Sequence, residues 1–159
     1  MMFKTTTVLC ALSLLLSSTL AAPAGSKKNI YLLKCEPNEC PIGVCEPDEF
    51  TVTAAALFRN GPVKAGATTA KPDVLALLSG YRPKWEGTRR TVRLGTEGTL
   101  TTNISAGAAS LPKSQIAGDA TLGNENLVCF KDGSTTFGIT YEGDRYTCTT
   151  TYWCPSIEV

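Results

Sequence analysis

The sequence predicts a mainly β fold, a small disulfide-stabilised sandwich or partly open barrel with room for one short helix; an α+β arrangement is the alternative. Three observations predict it. Apolar residues alternate along short segments more often than they recur at helical spacing. Threonine is abundant between turns that carry glycine. Six cysteines remain once the first is removed with an export signal.

That signal occupies residues 1–21. Lys4 supplies a basic start, Val8 to Leu16 an apolar run, and Thr19-Leu20-Ala21 small residues for cleavage after Ala21. Ala22-Pro23-Ala24 offers a second match. Ser17, Ser18 and Thr19 interrupt the apolar run well short of the roughly 20 residues a membrane helix needs. Residues 22–28 then read as a flexible mature terminus, with Lys27-Lys28 as a dibasic processing site, and residues 29–159 as a single domain.

Within that domain, Ile30 to Leu33 is a short apolar run. Phe50 to Phe58 places Phe50, Val52, Ala54, Ala56 and Phe58 on one side, a strand pattern that competes with a helix begun at Asp48. Pro72-Asp73 predicts a helical turn through Leu78, stopped at Ser79-Gly80. Thr88 to Val92 and Thr99 to Ile104 flank Gly95-Thr96-Glu97-Gly98 as a hairpin, and residues 105–110 form a loop. Asn126 to Phe130, Thr136 to Tyr141 and Arg145 to Cys154 close the chain as three strands. The last is expected to set Tyr146, Cys148, Thr150, Tyr152 and Cys154 on one face.

Cys35, Cys40, Cys45, Cys129, Cys148 and Cys154 form an even set in an exported chain, so disulfides are expected rather than zinc; there is no histidine and no C-x-x-C pair. The long gap between Cys45 and Cys129 makes at least one bridge close a long loop. Cys40 and Cys45 can pair across Pro-Ile-Gly-Val, which leaves Cys35 to reach the carboxyl-terminal cysteines.

Charge is balanced, 15 Lys and Arg against 14 Asp and Glu, so no overall field selects nucleic acid or an anionic membrane. Acidic residues gather between Glu36 and Glu49, and basic ones between Arg82 and Arg93. The missing histidine removes Ser-His-Asp and Cys-His catalysis, and the glycine loops that cradle phosphate are absent. Glu86, Glu97, Asp119 and Glu142 remain as conceivable carboxylates for hydrolysis, with no spacing that selects two of them. Binding candidates are Trp85 and Trp153, whose rings can stack on sugars or anchor an interface, and Arg89, Arg90 and Arg93 as a basic patch. Asn103-Ile104-Ser105 is a glycosylation sequon at Asn103.

The runs Tyr31-Leu32-Leu33-Lys34-Cys35, Lys84-Trp85-Glu86-Gly87, Cys129-Phe130-Lys131-Asp132, Tyr146-Thr147-Cys148 and Tyr152-Trp153-Cys154 resemble small secreted cysteine-rich proteins of filamentous fungi. The resemblance implies secretion and action on a host or competitor; with the missing catalytic patterns and the aromatic residues, the chain reads as an extracellular effector or elicitor that binds a host protein or cell-wall component, with no enzyme activity and no cofactor. A toxin against competing microbes and a cell-wall glycan binder are the alternatives. The resemblance also suits a link from Cys35 to the carboxyl-terminal cysteines, with Cys40 and Cys45 as an addition in the acidic insert.

Overall fold

The computed structural model describes residues 26–39, 50–64, 70–80 and 83–157. Among them nine strands form one antiparallel sheet: β1 (Asn29–Pro37), β2 (Val52–Phe58), β3 (Val74–Leu77), β4 (Arg90–Arg93), β5 (Thr99–Ile104), β6 (Ile116–Leu122), β7 (Glu125–Lys131), β8 (Thr136–Tyr141) and β9 (Asp144–Pro155). The order is β3-β2-β1-β9-β7-β6-β5-β4, and β8 pairs with the first half of β9. The sheet curls until β3 approaches β4, which makes a nearly closed barrel. Closure follows from the inward residues. Ile30, Leu32, Leu57, Leu100, Ile104, Leu122, Leu127 and Tyr152, drawn from six strands, share one buried cluster with Trp85 and Leu94. Burying each large aliphatic side chain stabilises by about 1.5–3 kcal/mol.

A second cluster lies on the outer face of the same sheet. Tyr31, Leu33 and Cys35 of β1 pack with Ala54 and Ala56 of β2, Phe137 and Ile139 of β8, and Cys148 of β9. This is why β1 and β2 read as continuous apolar runs: both faces are covered. Phe58, Tyr31 and Phe137 meet edge to face, with ring centroids 5.3–6.0 Å apart.

The two clusters are separated along β9 by a bulge. Leu32 faces Tyr152 but Leu33 faces Thr150, so Thr151 is an extra residue and the side chains change face there. Cys148 therefore points outward and bonds to Cys35, whereas Cys154 points inward and bonds to Cys129. Simple alternation, which sets Cys148 and Cys154 on one face, is corrected by this inserted residue. The long-range link from Cys35 to the carboxyl-terminal group is present; the expected Cys40–Cys45 pair lies outside the described residues.

Four other expectations change. Val74–Leu77 is a strand, not a helical turn, because β2 offers it a ladder from Ala54 to Leu57. Among the described residues the only helical segments are two short 3-10 turns, Gly95–Glu97 and Ala108–Ser110. β6 was not anticipated, and it fits because Gly118 lacks a side chain: a Cβ there would lie 2.2 Å from the Asn103 carbonyl oxygen on β5. Residues 26–28, expected to be flexible, are docked. Ser26 is buried, the Lys28 carbonyl accepts from the Ser156 amide at 2.9 Å, and the Lys28 ammonium donates to Glu125 at 2.6 Å.

Candidate binding cleft

The register of four strands lines up one transverse row on the outer face. Tyr31 of β1 lies opposite Trp153 of β9, Trp153 opposite Phe130 of β7, and Phe130 opposite Ile116 of β6. Tyr31 and Trp153 are stacked with centroids 6.5 Å apart, and Phe130 tilts against Trp153 at 6.1 Å. Exposure rises along the row. Tyr31 is buried, Trp153 and Phe130 are half-buried, and Ile116 is 63% exposed. The Trp153 indole is fixed by donating from Nε1 to the Asn29 carboxamide oxygen at 3.0 Å.

Two walls turn this row into a cleft of about 250 Å³. Pro62 and Val63 form one wall, held where the Val63 amide donates to the Tyr31 hydroxyl at 2.8 Å. Burial pushes the Tyr31 hydroxyl up to about 12, against the Val63 hydrogen bond and with help from the Asp132 charge, so it stays protonated. Lys113, Ser114, Asp132 and Thr135 form the other wall. Its loop is tied to the bulge: the Asp132 and Gly133 amides donate to the carbonyls of Thr151 and Thr150 at 3.1 and 2.7 Å.

Asp132 organises that wall. Its side chain is 9% exposed, and Oδ1 accepts from the Ser134 amide, the Ser134 hydroxyl and the Thr135 amide at 3.0–3.1 Å. Burial alone pushes the carboxyl up; the Thr135 and Ser134 hydrogen bonds outweigh it and hold the pKa below the ordinary 3.8. Lys113 lies 3.5 Å from the same carboxylate and donates to the Ser134 hydroxyl.

The other anticipated residues are dispersed. Trp85 is 2% exposed inside the barrel, so it offers no surface ring. Arg90 turns with Val92 toward the half-buried side and donates to the Lys84 carbonyl at 2.8 Å, while Arg89 and Arg93 are exposed. The three do not share a face. Asn103 is exposed on β5 and donates to Asp119 at 3.3 Å.

The four carboxylates stand apart as well. Glu86 accepts from the Tyr152 hydroxyl at 2.5 Å, and burial with that bond raises the Tyr152 pKa. Glu97 pairs with Arg59 at 2.8 Å and Lys28 at 3.7 Å, and Glu142 sits in the β8–β9 turn at positive φ. The four described cysteines are oxidised, and among the described residues no cluster of His, Cys, Asp or Glu is suited to a metal.

Three broader clefts exist, of about 580 Å³ beside the β8–β9 hairpin, about 520 Å³ at the barrel mouth, and about 310 Å³ beyond β2 with Phe58 as its one ring. Among their described lining residues the first has one ring, Tyr146, and the second none. Tyr31, Phe130 and Asp132 were not singled out from the sequence as site residues. The Cys129–Cys154 bond is the signal that finds one pair, since it sets their neighbours Phe130 and Trp153 opposite each other.

The fold and site thus define a disulfide-stapled antiparallel β-barrel with an aromatic cleft on its outer surface. No protein-family model, curated protein or solved structure matches the chain.

Proposed function

We propose that this is a secreted, effector- or elicitor-like protein that binds an extracellular host target, a protein or a cell-wall component, through the cleft over Trp153. The observation that carries the reading is the partial exposure of Trp153 and Phe130 on a crosslinked sheet, beside an anchored Asp132. Rings held rigid and half-open are suited to binding because little side-chain freedom is lost when a partner covers them. The export signal read in residues 1–21 and the two disulfides support an extracellular setting.

Purified oxidised protein infiltrated into plant tissue, and applied in parallel to fungal and bacterial cultures, tests this reading. A tissue response to the parent that Trp153→Ala abolishes, with cultures unaffected, is expected. Inhibition of the cultures without a tissue response favours an antimicrobial toxin instead. Intact mass should show a chain lacking residues 1–21 with no free thiol; a retained apolar leader would contradict export.

A further inference from the structure

The cleft has an apolar floor and a polar wall whose charges cancel. Lys113 and Asp132 form an ion pair, and Asp132 is further satisfied by Ser134 and Thr135. Lys131 also lines the cleft, but its ammonium lies 5.0 Å from the centroid of Tyr152, a ring of the inner cluster. With Lys113 paired to Asp132 and Lys131 engaged with the Tyr152 ring, a charged ligand finds no opposite charge in the cleft that is not already engaged. A wholly apolar ligand would cover the hydroxyls and the ion pair without replacing their water, at a desolvation cost. What satisfies both surfaces is a molecule with an apolar C–H face and a rim of hydroxyl groups.

Resting on the reading that this cleft is the binding site, we infer that its ligand is a neutral oligosaccharide. One pyranose ring lies over Trp153 and Phe130, and the next unit runs toward Ile116. The size agrees: at about 250 Å³ the cleft is below the usual range for drug-sized ligands and suits a single ring. The polar groups agree too. Tyr31 accepts from Val63 and keeps its own proton to donate, while the Lys113 side chain is 60% exposed and its ammonium has donors beyond the one given to Ser134. Ile116, at the open end of the row, extends the apolar strip past the cleft.

The chain's two tryptophans provide the readout, since Trp85 is inside the barrel and Trp153 in the cleft. In a nitrogen–proton correlation spectrum the two indole N–H resonances are assigned by the loss of one in Trp153→Phe. The protein is then titrated with soluble cello-, laminari-, chito- and manno-oligosaccharides, and with oligogalacturonate as the charged comparison. A saturable shift of the Trp153 resonance with at least one neutral oligosaccharide is expected, with Trp85 unmoved. Backbone shifts around the cleft should weaken at least about tenfold in Trp153→Ala, the loss typical of an interface anchor. The inference is overturned if no neutral oligosaccharide moves Trp153, if only oligogalacturonate does, or if binding persists in a folded Trp153→Ala protein. Should the tissue response need Trp153 while no glycan binds, the cleft serves a protein partner and the sugar assignment falls alone. A response independent of Trp153 removes the cleft as the site of that response, and the glycan titration then decides the sugar assignment on its own.

Discussion

The two faces of the β1–β9 pair are built from neighbouring residues of the same strands, yet they carry different things. The inner face is a sealed core in which Tyr152, Leu32 and Trp85 meet residues from nearly every strand. The outer face is an aromatic layer, sealed around Tyr31 and Phe137 and open where Trp153 and Phe130 reach the cleft. Each face has its own disulfide, and the single residue Thr151 decides which cysteine serves which face. The lesson is a division of labour: the interior secures the fold, so the exterior can leave rings partly uncovered.

The disulfides give the largest test of that division. Cys35–Cys148 spans a sequence separation of 113 and Cys129–Cys154 one of 25. In the chain-entropy model these are worth about 5 and about 3.5 kcal/mol respectively. Chemical denaturation of the two double serine variants should rank them in that order. A reversed ranking would show that the inner bridge secures more than its loop.

The tryptophans separate core from cleft. Trp85→Ala should cost about 3–5 kcal/mol, as for other large-to-small core changes. Trp85→Phe should cost far less, because it removes an indole N–H that is buried without a hydrogen-bond partner among the described residues. Trp153→Ala should cost less, about 2–3 kcal/mol, since the ring is only partly buried although the buried Asn29 carboxamide loses its donor, and should remove the tissue response. Equal stability losses at Trp85 and Trp153 would abolish the distinction between the two faces.

Gly118→Ala comes next, at about 1–3 kcal/mol, from the clash with Asn103. Hydrogen exchange should rise in β5 and β6 and stay unchanged at Trp153.

The smallest effect concerns Lys28. Its pKa is raised chiefly by the Glu125 hydrogen bond, against burial; that of Glu125 is lowered because Lys28 and Ser156 outweigh burial. The stability from Glu125 is present above its unfolded value near 4.5 and is lost as pH falls through the depressed folded value. That from Lys28 is present below 10.5 and is lost as pH rises through the raised one. Lys28→Met should therefore cost about 1 kcal/mol or less at pH 7, and less still near pH 3, in urea melts.

Much of the barrel was legible. Asn126 to Phe130 and Thr136 to Tyr141 end at glycine-bearing turns, Arg145 to Cys154 alternates, and the structure places β7, β8 and β9 there. β6 was not, because Gly118, Asp119 and the alanines beside them have poor strand propensity; its place is set by β5 and β7 on either side. β3 is only four residues long and takes its conformation from β2. The cleft was half legible. Trp153 stood out by residue type, but its neighbours depend on strand register and on the bulge at Thr151, which no local pattern reveals.

The docking of Lys28 also orders events in time. In the folded protein this residue is held by its carbonyl to Ser156 and by its ammonium to Glu125, with Asn29 beginning β1 beside it. A protease that cleaves after a dibasic pair needs the chain drawn out across its own active site. Any cleavage at Lys27-Lys28 would therefore have to precede folding, because the sheet holds the bond after Lys28 in place thereafter.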